Sequence, residues 1–244
     1  MRHRGGQNIC GATIGVLCLD SYFPKPPGHI KNPSALPFPA LYEVVHGVTV
    51  PRLLDNPTPD LLQPFIEAAR RLEAEGVRAI TASCGFLALF QRELADAVSI
   101  PVFASSLIQI PLAFQMTGAR APVGVLTAKA SVLTPAHLEG VGAAGVPIET
   151  IGMEDTREFA AVILRDERRD MDLAIVEREV MDAAKHLVAR APAIRSIVLE
   201  CTDLPPYAAA IQAELRLPVF DIVTLSEMVH RATTRAPYQG YMPW

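Results

Sequence analysis

This 244-residue chain predicts an α/β fold of two pseudo-symmetric lobes, each a short, mainly parallel sheet flanked by helices, with a cleft between them. Three observations predict it. Short runs of β-branched and aliphatic residues alternate with longer stretches of helical spacing, the pattern of βα units around parallel sheets. Residues 77–103 align without a gap with residues 194–220: Arg78 with Arg195, Ile80 with Ile197, Cys84 with Cys201, Leu87 with Leu204, and Pro101-Val102-Phe103 with Pro218-Val219-Phe220, always 117 positions apart (201 − 84). Ile14-Gly15-Val16-Leu17 near the start is echoed by Val123-Gly124-Val125-Leu126 after the midpoint. The first lobe is read as 1–110 and the second as 111–220, with the C-terminal segment 221–244 packing back on the first.

In chain order, strands are expected near 12–19, 43–49, 77–82, 101–104, 122–127, 147–151, 194–199 and 218–221. The basic start followed by an apolar stretch imitates a signal peptide. No small-residue cleavage site follows it, so it is read as a disordered tip and a first strand. From Phe23 through Pro39 the chain carries six prolines, which exclude helix and central strand and make a long loop. In parallel sheets such loops at the carboxyl ends of strands border the ligand crevice. A helix follows the Asn56-Pro57-Thr58-Pro59 turn, because Leu61, Leu62, Phe65, Ile66, Ala69 and Leu72 recur at i, i+3, i+4 spacing, and Gly76 ends it. A second long helix spans about 170–190 on Leu173, Val176, Val180 and Leu187, with Pro192 beyond it, and a last one lies near 222–235. Gly140-Val141-Gly142-Ala143-Ala144-Gly145 matches GxGxxG formally. A dinucleotide loop must follow a strand and open a helix, whereas here a helix precedes and a strand follows, so this is a helix-to-strand turn.

Composition narrows the function. Half the residues are apolar, enough for a sizeable core, and the net charge is −4 with no basic stripe interleaved with aromatics, which argues against nucleic acid. No apolar run approaches the ~18 residues that span a bilayer. A soluble, cytoplasmic protein is expected. Cys10, Cys18, Cys84 and Cys201 show no CxxC, and the six histidines show no ligand spacing, so no metal site is expected.

Cys84 and Cys201 are the candidate catalytic residues. Each ends a strand pattern where the chain turns into a helix, a position where unpaired amides and the helix dipole lower a thiol pKa from about 8.5 toward roughly 3.5–7.5. Two such thiols at equivalent places suit two-base proton chemistry. Asp20 and Ser21 at the end of the first strand, and Thr127, Lys129 and Ser131 after the strand that opens the second half, are expected to bind substrate. Thr202 and Asp203, directly after Cys201, join them as residues that bond substrate or cap the helix. Glu200 alternates away from Cys201 on the strand and is expected either to support the site from behind or to be buried and paired.

At these residues the chain resembles the aspartate/glutamate racemase superfamily, through Asp20-Ser21, Cys84, the Gly124–Thr127 strand and Cys201-Thr202. The resemblance implies an active site between the lobes and cofactor-independent racemisation or epimerisation of a small carboxylate. One thiolate would remove the proton beside the carboxylate and the opposite thiol return one from the other face. It also implies a homodimer. Gly85-Phe86 stands where the amino-acid racemases commonly carry Asn-Thr to hold substrate, so the resemblance implies that Gly85 and Phe86 line the substrate; this change, with Asp203 where they carry His or Glu, puts an Asp or Glu substrate in doubt. Hydantoin racemases, maleate isomerases and arylmalonate decarboxylases share the architecture. The decarboxylases use a single site cysteine, so two cysteines favour a racemase or epimerase over them, while a maleate-isomerase-like or arylmalonate-decarboxylase-like enzyme, or a non-catalytic small-molecule binding protein, stays open as the alternative.

Overall fold

A computed structural model describes residues 5–238 and 240. Residues 1–4 of the expected N-terminal tip, and 239 and 241–244 of the C-terminal segment, lie outside the described residues. The first sheet contains β1 (Ile14–Leu19) and β2 (Ala40–Val45). α1 (Val50–Asp55) and α2 (Leu62–Ala74) lead to β3 (Ala79–Ala82). α3 (Gln91–Asp96), β4 (Val102–Phe103) and α4 (Ile110–Met116) complete that half. The second half runs β5 (Val123–Thr127), α5 (Pro135–Gly140), β6 (Ile148–Gly152), α6 (Leu173–Arg190), β7 (Ile197–Leu199), α7 (Ala208–Leu215), β8 (Val219–Phe220) and α8 (Ile222–Thr233).

Both sheets are four-stranded, with order β2-β1-β3-β4 in one and β6-β5-β7-β8 in the other, and every pair is parallel. The sequence echo is also an echo of register: Ile80 pairs with Val102 as Ile197 pairs with Val219. Parallel strands buried on both faces need continuous apolar runs, and β1, β3, β5 and β7 are buried throughout. Gly15 lets α2 lie close on β1, since a Cβ there would sit 2.9 Å from Leu72 Cδ1. The apolar stripe of α2 (Phe65, Ala68, Ala69, Leu72) covers that face, each large side chain contributing about 1.5–3 kcal/mol on burial. Gly76, at φ +88°, ends the α2 segment as expected.

Some boundaries differ from the sequence reading. The second strand begins at Ala40 and stops at Val45, because His46-Gly47 turns the chain with Gly47 at φ +76°. α1 was not anticipated; Thr49 caps it by accepting from Arg52 N–H, with Pro51 in its first turn. The helix expected from Pro59 opens as a 3₁₀ turn, Pro59–Leu61, before α2. Ala160–Leu164 forms a buried π-helical turn that no sequence periodicity announced. The Gly140–Gly145 segment is a helix-to-strand turn, with Gly142 and Gly145 at positive φ between α5 and β6.

α8 lies against the first sheet: Ile222 and Leu225 share a core with Ile14, Val16, Ala79 and Phe103, and Arg78 donates to the Thr233 carbonyl at 2.9 Å. The halves meet through buried polar contacts as well as apolar ones. Thr202 Oγ1 donates to Ser83 O at 2.6 Å, and Ser106 Oγ to Leu199 O at 2.6 Å. Among the described residues no helix is long and apolar enough to cross a membrane.

Candidate active site

The carboxyl ends of β1, β3, β5 and β7 deliver the candidate side chains. Cys84 lies two residues beyond β3 and Cys201 two beyond β7, so the duplicated register carries the thiols to equivalent places. Both are free and buried, at 8% and 6% exposure. A 3₁₀ turn follows each, Gly85–Phe90 after Cys84 and Pro205–Tyr207 after Cys201.

The expected lowering of both thiol pKa values does not hold. Both are pushed well above the ordinary thiol value, by burial first; next come the nearby Glu200 for Cys84 and Asp203 for Cys201. The short turns explain why the helix starts do not compensate. Each sulfur gains one backbone N–H, from Phe86 for Cys84 and from Asp203 for Cys201. Pro205 and Pro206 have no N–H to offer.

The two thiols differ in their partners. Cys201 Sγ donates to Asp203 Oδ2 at 3.3 Å, and Asp203 Oδ1 lies 2.7 Å from His29 Nε2. The Lys31 N–H donates to His29 Nδ1 at 2.9 Å, so the ring is the neutral tautomer with its hydrogen on Nε2, aimed at Asp203. His29 and Cys201 hold the Asp203 carboxyl below its ordinary value although desolvation opposes them. Asp203 is thus a buried anion with both oxygens engaged, and the Cys201 proton is held against it.

Glu200 occupies the other side. Its Oε2 accepts from Thr127 Oγ1 at 2.6 Å and Ala128 N–H at 3.3 Å, whereas Oε1, fully buried, has no partner among the described residues. Burial pushes its pKa up to about 7. Gly85 is packed against it: a Cβ there would lie 2.2 Å from both Glu200 O and Glu200 Oε1. Only glycine lets the turn after Cys84 approach the end of β7 so closely.

The remaining candidates are placed less centrally. Thr127 is committed to Glu200 and does not stand free for a substrate. Lys129 reaches Asp55 at 2.5 Å, and Ser131 offers its N–H to Glu154. Asp20 accepts from Gly47 N–H at 3.0 Å, which lowers its pKa and fixes the turn after β2. Ser21 Oγ accepts from Lys31 Nζ at 2.9 Å. Phe86 is buried and meets His137 edge-on at 5.4 Å, packing between the halves. Thr202 is likewise a contact between the halves.

His29, Lys25 and Lys31 were missed by the sequence reading. They lie in the proline-rich loop, which crosses to the second half: Gly28 rests against Pro206, a Cβ there lying 3.0 Å from Pro206 Cα. Lys31 Nζ donates to Leu19 O and Ser21 Oγ; Lys25 Nζ donates to the Ser21 and Phe23 carbonyls. Each lysine therefore keeps a third hydrogen. Burial lowers both, Lys25 to about 8. The available signal was a histidine and two lysines among the six prolines of a crevice loop. Among the described residues no cluster of His, Cys, Asp or Glu could hold a metal ion.

Comparison with known proteins adds family and fold. The family model described as Asp/Glu/Hydantoin racemase matches residues 110–226. The chain is 34% identical over 242 residues to dimethylsulfoniopropionate lyase 7 of Emiliania huxleyi (strain CCMP1516), covering 95% of this chain and 70% of the relative. It is 30% identical to the dimethylsulfoniopropionate lyase of Durusdinium sp. clade D, covering 97% and 80%. Unliganded arylmalonate decarboxylase superposes with a TM-score of 0.61 at 15% identity, over 92% of this chain and 94% of that one. Allantoin racemase from Klebsiella pneumoniae superposes at 0.56 and 14% identity, over 96% and 97%. At such identities the structural likeness speaks to the fold alone.

Proposed function

Because the chain belongs to the Asp/Glu/hydantoin racemase family, as a relative of dimethylsulfoniopropionate lyases, we propose that it is a lyase cleaving a β-sulfonium carboxylate such as dimethylsulfoniopropionate. The carrying observation is the 34% identity to such a lyase along 95% of the chain. The site chemistry is compatible with it. Asp203 places a carboxylate beside the Cys201 thiol, which suits a substrate bearing a cation. Lys25 and Lys31, at the carboxyl end of β1, each have a hydrogen left for the substrate carboxylate.

In this reading Cys84 is the base, because the Cys201 proton is held by Asp203 while the Cys84 sulfur has no carboxylate tied to it by a hydrogen bond. The Cys84 thiolate takes the proton from the carbon beside the carboxylate, forming S–H. The C–H electron pair becomes the carbon–carbon double bond, and the Cβ–S bond breaks with its pair leaving on sulfur. The products are neutral dimethyl sulfide and acrylate. The incoming sulfonium charge favours the thiolate, opposing the burial that raises its pKa.

The expected racemase or epimerase remains the second reading, favoured by the equivalent placement of two thiols. Proton NMR in D₂O separates the two. Vinyl signals of acrylate growing from dimethylsulfoniopropionate support the lyase. Absence of vinyl signals, with α-proton exchange in amino acids or hydantoins, would favour the racemase.

A further inference from the structure

A lyase differs from a racemase in one respect that the site must accommodate. In racemisation one thiol gives what the other takes, so no proton accumulates. Elimination from a zwitterionic sulfonium carboxylate yields acrylate, a neutral sulfide and one proton, which is left on a buried thiol. That proton must leave before the next turnover.

We infer that Glu200 is the group that takes this proton, accepting it from Cys84 on Oε1 and passing it out of the cleft. The inference rests on the lyase reading. Three observations carry it. Oε1 is fully buried and lacks a partner among the described residues, whereas Oε2 is pinned by Thr127 and Ala128, so the carboxyl is oriented with one acceptor unused. Buried acceptors are normally paired, and an unpaired one calls for an explanation. The free oxygen lies against Gly85, the residue after Cys84, at the approach that excludes any Cβ. Finally, the Glu200 charge acts on Cys84 second only to burial. The titratable groups near this carboxyl are Cys84, beside the glycine packed against it, and Cys201 and Asp203 on its own turn. Asp203 has both oxygens engaged, so it does not compete for the proton.

The step balances. The Cys84 S–H bond breaks, an O–H bond forms on Glu200, and the thiolate is restored; Glu200 then loses the proton to solvent. A carboxyl whose burial brings it near neutrality exchanges protons in both directions at physiological pH.

Glu200→Gln keeps the shape and removes the acceptor. With dimethylsulfoniopropionate, rapid-quench measurement should show a first turnover of acrylate close to that of the wild type, followed by a steady state slower by at least about tenfold. The acid limb of the steady-state pH profile should also disappear. Equal loss of first turnover and steady state, or an unchanged steady state, would overturn the inference. Site-resolved iodoacetamide labelling against pH provides a test that needs no substrate: in Glu200→Gln the labelling midpoint of Cys84 should move to lower pH, because a facing negative charge is gone. An unmoved midpoint overturns the inference even where acrylate is formed. A moved midpoint without acrylate formation by the wild type would instead reject the lyase reading on which it depends.

Discussion

Gly85→Ala should separate the turn after Cys84 from the end of β7. The added methyl would lie 2.2 Å from the Glu200 carbonyl oxygen and 2.2 Å from Oε1. The backbone oxygen cannot rotate aside, and the side chain is held through its other oxygen by Thr127 and Ala128. Relief therefore requires the backbone of one half to move. Overpacking of this kind costs about 1–3 kcal/mol, which in a chain of this size lowers the melting temperature by about 2–12 °C. The effect on turnover should be larger, because misplacement by about 1 Å can cost on the order of a hundredfold in rate. Gly124→Ala is the control, since its Cβ would meet only side-chain carbons of Leu187 and Ile194, at 3.1–3.3 Å, which can shift. Thermal melting by circular dichroism and acrylate formation read the two effects. A Gly85→Ala protein that melts with the wild type and turns over at its rate would refute the close approach.

Other substitutions test separate parts of the site. Cys84→Ser should abolish acrylate formation with the melting curve retained, and full activity would remove Cys84 as the base; Cys201→Ser takes away no step of the elimination and should keep acrylate formation, whereas its complete loss would speak for the two-thiol racemase reading. His29→Ala takes the strongest donor from a buried carboxylate and should cost about 1.5–3 kcal/mol in urea unfolding, with a negligible change contradicting the His29–Asp203 pairing. Lys129→Ala breaks only a partly exposed ion pair with Asp55, so stability should change by less than about 1 kcal/mol and turnover should persist, unless Lys129 holds substrate after all. Glu200 also predicts a pH dependence of stability. Its pKa is raised from 4.5 to about 7 on folding, so between those values the folded state binds more protons than the unfolded one, and stability falls as pH rises through that window. The fall attributable to this group is at most about 3 kcal/mol. The difference between wild type and Glu200→Gln in urea unfolding from pH 4.5 to 7 isolates it, and a flat difference would contradict the raised pKa.

The fold was legible because duplication leaves a signal that propensity alone does not. Arg78 and Arg195, Cys84 and Cys201, and the two Pro-Val-Phe triplets fixed the equivalence of β3 with β7 and of β4 with β8 before any geometry was known. Short elements were harder. The turn at His46-Gly47 displaced β2, and the π-helical turn at Ala160–Leu164 lacks a distinctive period. For the site, the sequence located both thiols but misjudged their electrostatics. A strand-end cysteine reads as dipole-activated, yet 3₁₀ turns and two prolines supply few amides, and the desolvating effect of packing between the halves is not visible in a linear pattern. Thr127 and Thr202 looked like substrate ligands and are committed to Glu200 and Ser83. His29 lies 174 positions before Asp203, a pairing created only when the proline-rich loop crosses between the halves.

Dimethyl sulfide in the headspace over purified protein and dimethylsulfoniopropionate is the most direct measurement of the central claim. The account predicts sulfide equal to the acrylate formed, catalytic in protein, and absent with Cys84→Ser. Intact substrate after prolonged incubation with folded wild-type protein, or sulfide release that survives Cys84→Ser, would contradict it.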